Sequence, residues 1–277
     1  GLEHMGDIPF NTVLFHGLVR DAQGRKMSKS LGNGIDPLEV IDQYGADALR
    51  YTLATGSSAG NDTRYSDEKV KASRNFANKL WNAARFILMN VDGEIPAGLP
   101  EKLEQEDKWI LSALNNTAKA ATENLENFDQ GLAAQKAYDF IWDQICDRYI
   151  EIAKTRLNSD DIETKHNVLR VLVYVMNGAL KLLHPFMPFI TEELWQHLEE
   201  RKEGESIMTA LIPSETEIKN DIIFNNVQVP HYNYVGDSIL GYKAHMGAGS
   251  ITSNVKSDKT LVVVKDCYDT KEEIATG

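Results

Sequence analysis

Lys26-Met27-Ser28-Lys29-Ser30 is the part of this 277-residue sequence whose residue types and spacing could do chemistry. Two ammonium groups three residues apart, interleaved with the hydroxyls of Ser28 and Ser30 and flanked by Gly24 and Gly32, suit a loop that follows a triphosphate. The cations neutralise the charge that develops as pyrophosphate leaves. Two lysines alone are read more simply as solvated surface charge, and the order of the five letters is what moves the balance. Cys146 and His184 also draw notice, but a lone thiol in a core pattern and a lone histidine at a helix end are structural by default. The only other cysteine is Cys267, so neither a disulfide framework nor a metal site is expected, and a reducing cytoplasm is the expected compartment.

The elements that must hold the loop follow from local signals. Thr12-Val13-Leu14-Phe15 is β-branched and aromatic, which predicts a short buried strand feeding the polar loop from Arg20 to Asn33. Asp36-Pro37-Leu38-Glu39 supplies an N-cap acid, a proline at the first helical position and an N3 carboxylate, and Gly45 should stop the helix they start. A second short helix is expected from Asp47 to Ala54, with Asp47 as a cap and Arg50 pairing across it.

From Ser66, Val70, Ala77, Leu80, Trp81, Ala84, Ile87 and Leu88 recur at helical spacing and predict one long amphipathic helix with Trp81 facing the core. After the proline- and glycine-rich loop over residues 91–100, three further helical stripes run from Ile110 to Leu125, from Ala133 to Ile152 and from Leu169 to Leu183. Antiparallel packing of such helices into a bundle is the economical arrangement. Pro185 and Pro188 should make a hinge with Phe186, Phe189 and Trp195 turned inward.

Composition sets outer bounds. With 42% hydrophobic and 25% charged residues the chain can bury a sizeable core, and its length favours two modules over one. No run is long and apolar enough to span a membrane, and the first ten residues lack the pattern of an export signal. A net charge of -12 argues against holding nucleic acid by bulk electrostatics, so any RNA contact must be a local patch. Arg74, Asn78, Lys79 and Arg85 on the long helix are candidates for such a patch. All ten arginines lie at or before Arg201, and the character of the sequence changes near residue 213. Beyond it, Gly236, Gly241 and Gly247 with Val229, Val235, Leu240 and Met246 keep a rhythm near six residues, which suits a parallel β-helix of a few turns.

The five-residue loop, preceded by His16-Gly17-Leu18-Val19-Arg20 and followed by residues 31–54, resembles the signature loop and stem of class I aminoacyl-tRNA synthetases, in particular the valyl-tRNA synthetase family. The likeness continues through residues 73–90 and 184–198 and covers about residues 1–210. It implies a mainly α fold: an antiparallel helix bundle of the anticodon-binding type, with a short α/β remnant before it. It also implies that Lys26, Met27, Ser28, Lys29 and Ser30 bind ATP, presented with Mg as a substrate, with Lys26 and Lys29 on the phosphates. Valine-specific tRNA would be the partner, the chain a monomer in the cytoplasm, with no tightly bound cofactor and no membrane. The family's His-Ile-Gly-His tetrapeptide is not present, and His16-Gly17-Leu18-Val19 is no substitute, so the chain by itself is not expected to form valyl-adenylate.

Residues 213–277 resemble the left-handed β-helix of bifunctional UDP-N-acetylglucosamine pyrophosphorylase/glucosamine-1-phosphate acetyltransferases. That likeness would make His231 a general base, Tyr234 a sugar-phosphate contact and Asn254 a further substrate contact, here as relics of a sugar site. The organisation expected is therefore 1–45 (end of the catalytic domain, with loop and stem), 46–212 (helical anticodon-binding domain) and 213–277 (partial hexapeptide-repeat β-helix). Three functions remain open: part of a valine–tRNA ligase, a sugar-nucleotide acetyltransferase or pyrophosphorylase-like protein, and a non-catalytic tRNA-binding module.

Overall fold

The computed structural model describes residues 2–56, 58–91 and 98–211, together with the backbone of the strands between 216 and 274. Contacts divide the chain into two units, Gly1–Pro213 and Ser214–Gly277. The first unit is mainly helical.

A single turn, α1 (Leu2–Met5), leads into extended chain and then β1 (Val19–Arg20), which pairs in parallel with β2 (Thr63–Arg64). Thr12–Phe15 is not a strand: a single backbone bond, from the Gly60 amide to the Phe15 carbonyl, is too little to pair it, and Val13 and Phe15 lie exposed. A β-branched run becomes a strand only where another strand completes its hydrogen bonds and covers its face.

Between β1 and β2 lie a 3-10 turn (Lys29–Leu31), α2 (Pro37–Tyr44) and α3 (Ala46–Thr55). Asp36 caps α2 as expected, its carboxylate accepting from the Leu38 amide at 2.9 Å, with Pro37 in the first turn and Gly45 at the end. Val40, Ala48, Leu49, Tyr65 and Val70 form a small core between these helices and the start of α4, and Met27 packs against it.

The main core is built by α4 (Asp67–Met89), α5 (Gln105–Glu126), α6 (Gln130–Asp139), α7 (Ile150–Leu157), α8 (Ile162–Leu183) and α9 (Pro188–Leu198). Short turns join α5 to α6 and α8 to α9, which makes each pair antiparallel neighbours. Leu169, Leu172, Met176, Leu180 and Leu183 of α8 are all buried, as their spacing predicts. Each such side chain stabilises the fold by about 1.5–3 kcal/mol.

The helix from 130 to 157 contains a π-helical stretch, Phe140–Tyr149. Hydrogen bonds from i to i+5 fit more residues into each turn, so the apolar stripe slips phase. Ile150, Ala153 and Leu157 are buried beyond it, whereas Ile152, expected on the stripe, is exposed.

At the proline corner Phe186 and Trp195 turn inward, but Phe189 is 66% exposed. Phe189 sits in the first turn of α9, where the backbone amides rather than the ring face α3. Asp47, expected to cap a helix, caps this one: its carboxylate accepts from the Phe189 amide at 3.2 Å and the Ile190 amide at 2.7 Å. Arg50 donates to the Pro185 carbonyl at 3.2 Å, so two residues of α3 fasten a corner more than 130 positions away.

In the second unit, β3 (Thr216–Lys219), β5 (Asn233–Gly236) and β7 (Ile251–Thr252) form one parallel sheet, and β4 (Ile222–Ile223) pairs in parallel with β6 (Ile239–Leu240). Thr216 faces Asn233, Ile222 faces Ile239 and Tyr234 faces Ile251, each pair 17 residues apart. An antiparallel hairpin, β8 (Val262–Lys265) with β9 (Lys271–Ile274), follows.

Candidate functional site

The loop from Asp21 to Asn33 is held closed at its base. The buried Asp21 carboxylate accepts from the Arg25 amide at 2.7 Å, the Arg25 Nε at 2.7 Å, the Gln23 amide at 3.1 Å and Asn33 Nδ2 at 2.9 Å. Asn33 in turn accepts from the Ser28 amide at 2.9 Å and donates to the Lys26 carbonyl at 3.2 Å. With the Asn33 amide as the largest influence, and Arg25 adding to it against some desolvation, these donors lower the Asp21 pKa from 3.8 to about 2. The strand that leads in is anchored by Asp62, which accepts from the Leu18 amide at 2.8 Å and pairs with Arg20.

On this frame the five residues divide their work. Met27 is half-buried and fastens the loop to the small core. Ser28 is the N-cap of the 3-10 turn, accepting from the Leu31 amide at 3.3 Å, and its hydroxyl lies 3.1 Å from that of Ser30. Gly24 and Gly32, with φ of 81° and 61°, make the reversals on either side, a conformation a side chain opposes. Lys26 and Lys29 are exposed and have no ion partner among the described residues. Asp21, the acid nearest Lys26 in sequence, is already satisfied by Arg25 and Asn33, and Asp36, the nearest to Lys29, caps α2. Two free cations on a braced loop are what a polyphosphate needs: charge complementarity without a carboxylate to displace.

The second candidate surface is α4. Arg74, Asn78, Trp81 and Arg85, at spacings of four, three and four, lie on one exposed face of that helix. Trp81, expected in the core, is 44% exposed and shares this face with the cations. The core on the opposite side is completed by Phe76, Leu80, Ala83 and Ile87, so the stripe closes without it. Lys79 lies off that face: its Nζ donates to Asp147 at 2.7 Å and sits 3.6 Å from the centroid of the Trp142 ring. The structure therefore brings Arg74, Asn78 and Arg85 onto one face, adds Trp81, and ties Lys79 to Asp147 and Trp142 at the bundle surface.

His184 Nδ1 lies 2.7 Å from the Thr191 hydroxyl, and burial, first of all, lowers its pKa. The Cys146 thiol is half-buried and desolvation raises its pKa to about 11, which leaves it a weak nucleophile at neutral pH. His231 and Asn254, and the side chain of Tyr234, lie outside the described residues; the Tyr234 backbone belongs to β5. Sequence reasoning missed the Asp21–Asn33 brace and the exposure of Trp81. The first was signalled by an acid directly before the turn Ala22–Arg25, the second only by polar Asn78 and charged Arg85 one turn away on either side.

Comparison with known proteins gives two family matches, on either side of α4. Residues 1–66 match the family of class I tRNA synthetases (I, L, M and V), and residues 107–238 match the anticodon-binding domain of tRNA ligase. The second match runs past the division at Pro213. The valine–tRNA ligase of Clostridium perfringens is 55% identical over 223 residues, covering 80% of this chain and 25% of that protein. That of Geobacillus stearothermophilus is 57% identical over 215 residues, covering 77% and 24%.

Among solved structures, a Mycobacterium tuberculosis methionyl-tRNA synthetase in complex with methionyl-adenylate matches with a TM-score of 0.56 and 26% identity, over 65% of this chain and 36% of that one. A leucyl-tRNA synthetase from Agrobacterium radiobacter K84, in a ternary complex with tRNA, matches with a TM-score of 0.54 and 25% identity, over 75% and 25%. The chain thus spans about a quarter of the length of the curated relatives it matches. Over that span it is similar to valine–tRNA ligases, with residues 1–66 like a class I tRNA synthetase and residues 107–238 like the anticodon-binding domain of a tRNA ligase.

Proposed function

We propose that the chain carries the ATP-facing loop and the tRNA-docking bundle of a valine–tRNA ligase. Lys26 and Lys29 contact the phosphates of Mg-bound ATP, Ser28 and Ser30 shape the loop, and Met27 ties it to α2 and α3. Arg74, Asn78, Trp81 and Arg85 contact the tRNA, the arginines on phosphates and the indole by stacking on an unpaired base. The observation that carries the reading is the braced loop with two unpaired lysines, in a chain 55% identical over 223 residues to a valine–tRNA ligase. Monomeric, cytoplasmic action belongs to the same reading.

The sugar-nucleotide alternative is not favoured, because the relatives over four fifths of the chain are valine–tRNA ligases. What favours a β-helix for 213–277 is the constant 17-residue register of its parallel strands, close to three units of six. His231, Tyr234 and Asn254 would be relics within it.

The test is binding of valine-specific tRNA against a noncognate tRNA at one fixed salt concentration, since ionic strength alone can mimic weak affinity. Preference for the valine tRNA, lost in an Arg74→Ala/Arg85→Ala variant, is expected. Equal weak binding to both would remove the docking assignment. Valine-dependent ATP–pyrophosphate exchange is expected to be undetectable with this chain.

A further inference from the structure

We propose that the cavity between α8, α9 and the segment that follows α9 binds a small phosphate-type oxyanion. The cavity measures about 280 Å³ and is lined by Tyr174, Asn177, Lys181, Trp195, Glu199 and Arg201. It lies away from both surfaces assigned above and uses none of their residues.

The charged groups in the cavity pair largely with one another, which leaves the Trp195 indole N–H and the Lys181 ammonium without partners among the described residues. Glu199, its single acid, accepts from Asn177 Nδ2 at 2.9 Å and pairs with Arg201 Nη2 at 2.9 Å. Asn177 Oδ1 is occupied by the same guanidinium at 3.0 Å, and Arg201 Nε donates to the Trp195 carbonyl at 3.3 Å. The guanidinium carbon stands 3.7 Å from the centroid of the Trp195 ring, which fixes both side chains.

Two donors remain. The Trp195 indole N–H is buried in a residue 5% exposed and has no acceptor among the described residues. Lys181 is half-buried and pairs with no described group; burial, and next the charge of Arg201, lower its pKa, with Glu199 opposing. Native structures rarely leave a buried N–H without a partner, and an unpaired cation beside it compounds the cost.

The ligand must therefore bring acceptors and negative charge. Lys181 and Arg201 against Glu199 leave one net positive charge in the cavity. The two donors come from α8 and α9, with the Arg201 guanidinium adding charge beside them, so an oxyanion with several acceptor oxygens suits them. A volume several times the share of one water molecule leaves room for a small substituent on the phosphate.

The chain has four tryptophans, hence four indole N–H signals in a 15N-correlated spectrum. The Trp195 signal is identified by its loss in Trp195→Phe or, should that variant not fold, by its through-space contacts in the unsubstituted chain. Inorganic phosphate is titrated at constant ionic strength, with chloride as the balancing and control anion. A saturable shift of the Trp195 signal is expected, with affinity reduced at least tenfold in Lys181→Gln at unchanged circular dichroism. A parallel titration with glycerol phosphate distinguishes a free anion from a monoester, by which of the two binds more tightly. The proposal is overturned if the Trp195 signal fails to saturate, shifts equally with chloride, or responds in Lys181→Gln as it does in the unsubstituted chain.

Discussion

Phe15 and Phe76 are the same side chain in two parts of one molecule: the first is 75% exposed and the second is fully buried. Phe76 sits on α4 among Tyr51, Tyr138 and Trp142, with ring centroids 4.6–6.4 Å away, and the helices that supply those rings are all in this chain. Phe15 belongs to an extended run, Ile8 to Leu18, in which Phe10, Val13 and Leu14 are exposed as well. Its fixed points are the Gly60 amide, which donates to the Phe15 carbonyl at 2.9 Å, and a single bridge from His16 to Ala59. Apolar character therefore does not decide burial. The bundle carries its own partners, whereas residues 8–18 are held by a few hydrogen bonds to residues 59–63 and keep their apolar side chains uncovered among the described residues.

The largest effect should come from removing what the bundle supplies. Phe76→Ala is expected to cost about 3–5 kcal/mol in urea unfolding, the range for an aromatic cavity that cannot collapse. Phe15→Ala should move the same midpoint by less than about 0.5 kcal/mol, as exposed substitutions do. Equal losses at the two sites would mean that residues 8–18 contribute to a core after all.

A second break in the bundle is polar. Asp107 is fully buried, accepts from Tyr149 Oη at 2.6 Å and Arg156 Nη1 at 2.7 Å, and closes a capping box through the Glu104 amide at 2.9 Å. Burial, with the Asp107 carboxylate next, pushes the Tyr149 phenol far above its ordinary range, so it stays a donor. Asp107→Asn leaves Arg156 with the more distant Glu106, at 3.4 Å, as its carboxylate partner, and should cost about 2–3 kcal/mol, somewhat less than breaking a fully buried pair. Calorimetry of Asp107→Asn, Arg156→Met and the double variant checks it: the two losses should be strongly non-additive.

The tie between α3 and α9 is worth less. Asp47→Ala removes the carboxylate that caps α9 and should cost about 1–2 kcal/mol. Because the cap is local, amide exchange should quicken most in the first turn of α9, a pattern that a general loss of packing would not produce.

These sites also mark how far the sequence could be read. The helices were legible because their apolar residues repeat at helical spacing and their ends carry local signals, as at Asp36-Pro37 and Gly45. The five-residue loop was legible because its letters are contiguous. What escaped depended on residues distant in sequence. Asp47 looks like a cap for its own helix, and only the fold brings the amides of Phe189 and Ile190 to it. Trp81 fits the apolar stripe by spacing, and only the packed core shows that the stripe closes without it. The π-helical turn between Phe140 and Tyr149 shifts the phase of everything after it, which a fixed period cannot register.

The smallest effect is confined to the loop and depends on pH. Asp21 holds the loop closed as a carboxylate, with a pKa of about 2 against an ordinary 3.8, chiefly through Asn33 and then Arg25. Because the folded value is the lower one, the brace contributes its full stability above about pH 4 and loses it as pH falls through 2. The Ser28 amide, bonded to Asn33, reports on closure. Its chemical shift should hold from pH 7 to 4 and change only between 4 and 2, in a window where the aromatic core around Phe76 is read separately. In Asp21→Asn the low-pH step should vanish and Ser28 should exchange faster at neutral pH, with the bundle unaffected. A transition centred near pH 4 in the unsubstituted chain would show that Asp21 titrates as if free, and that the loop owes its shape to Met27 and the 3-10 turn instead.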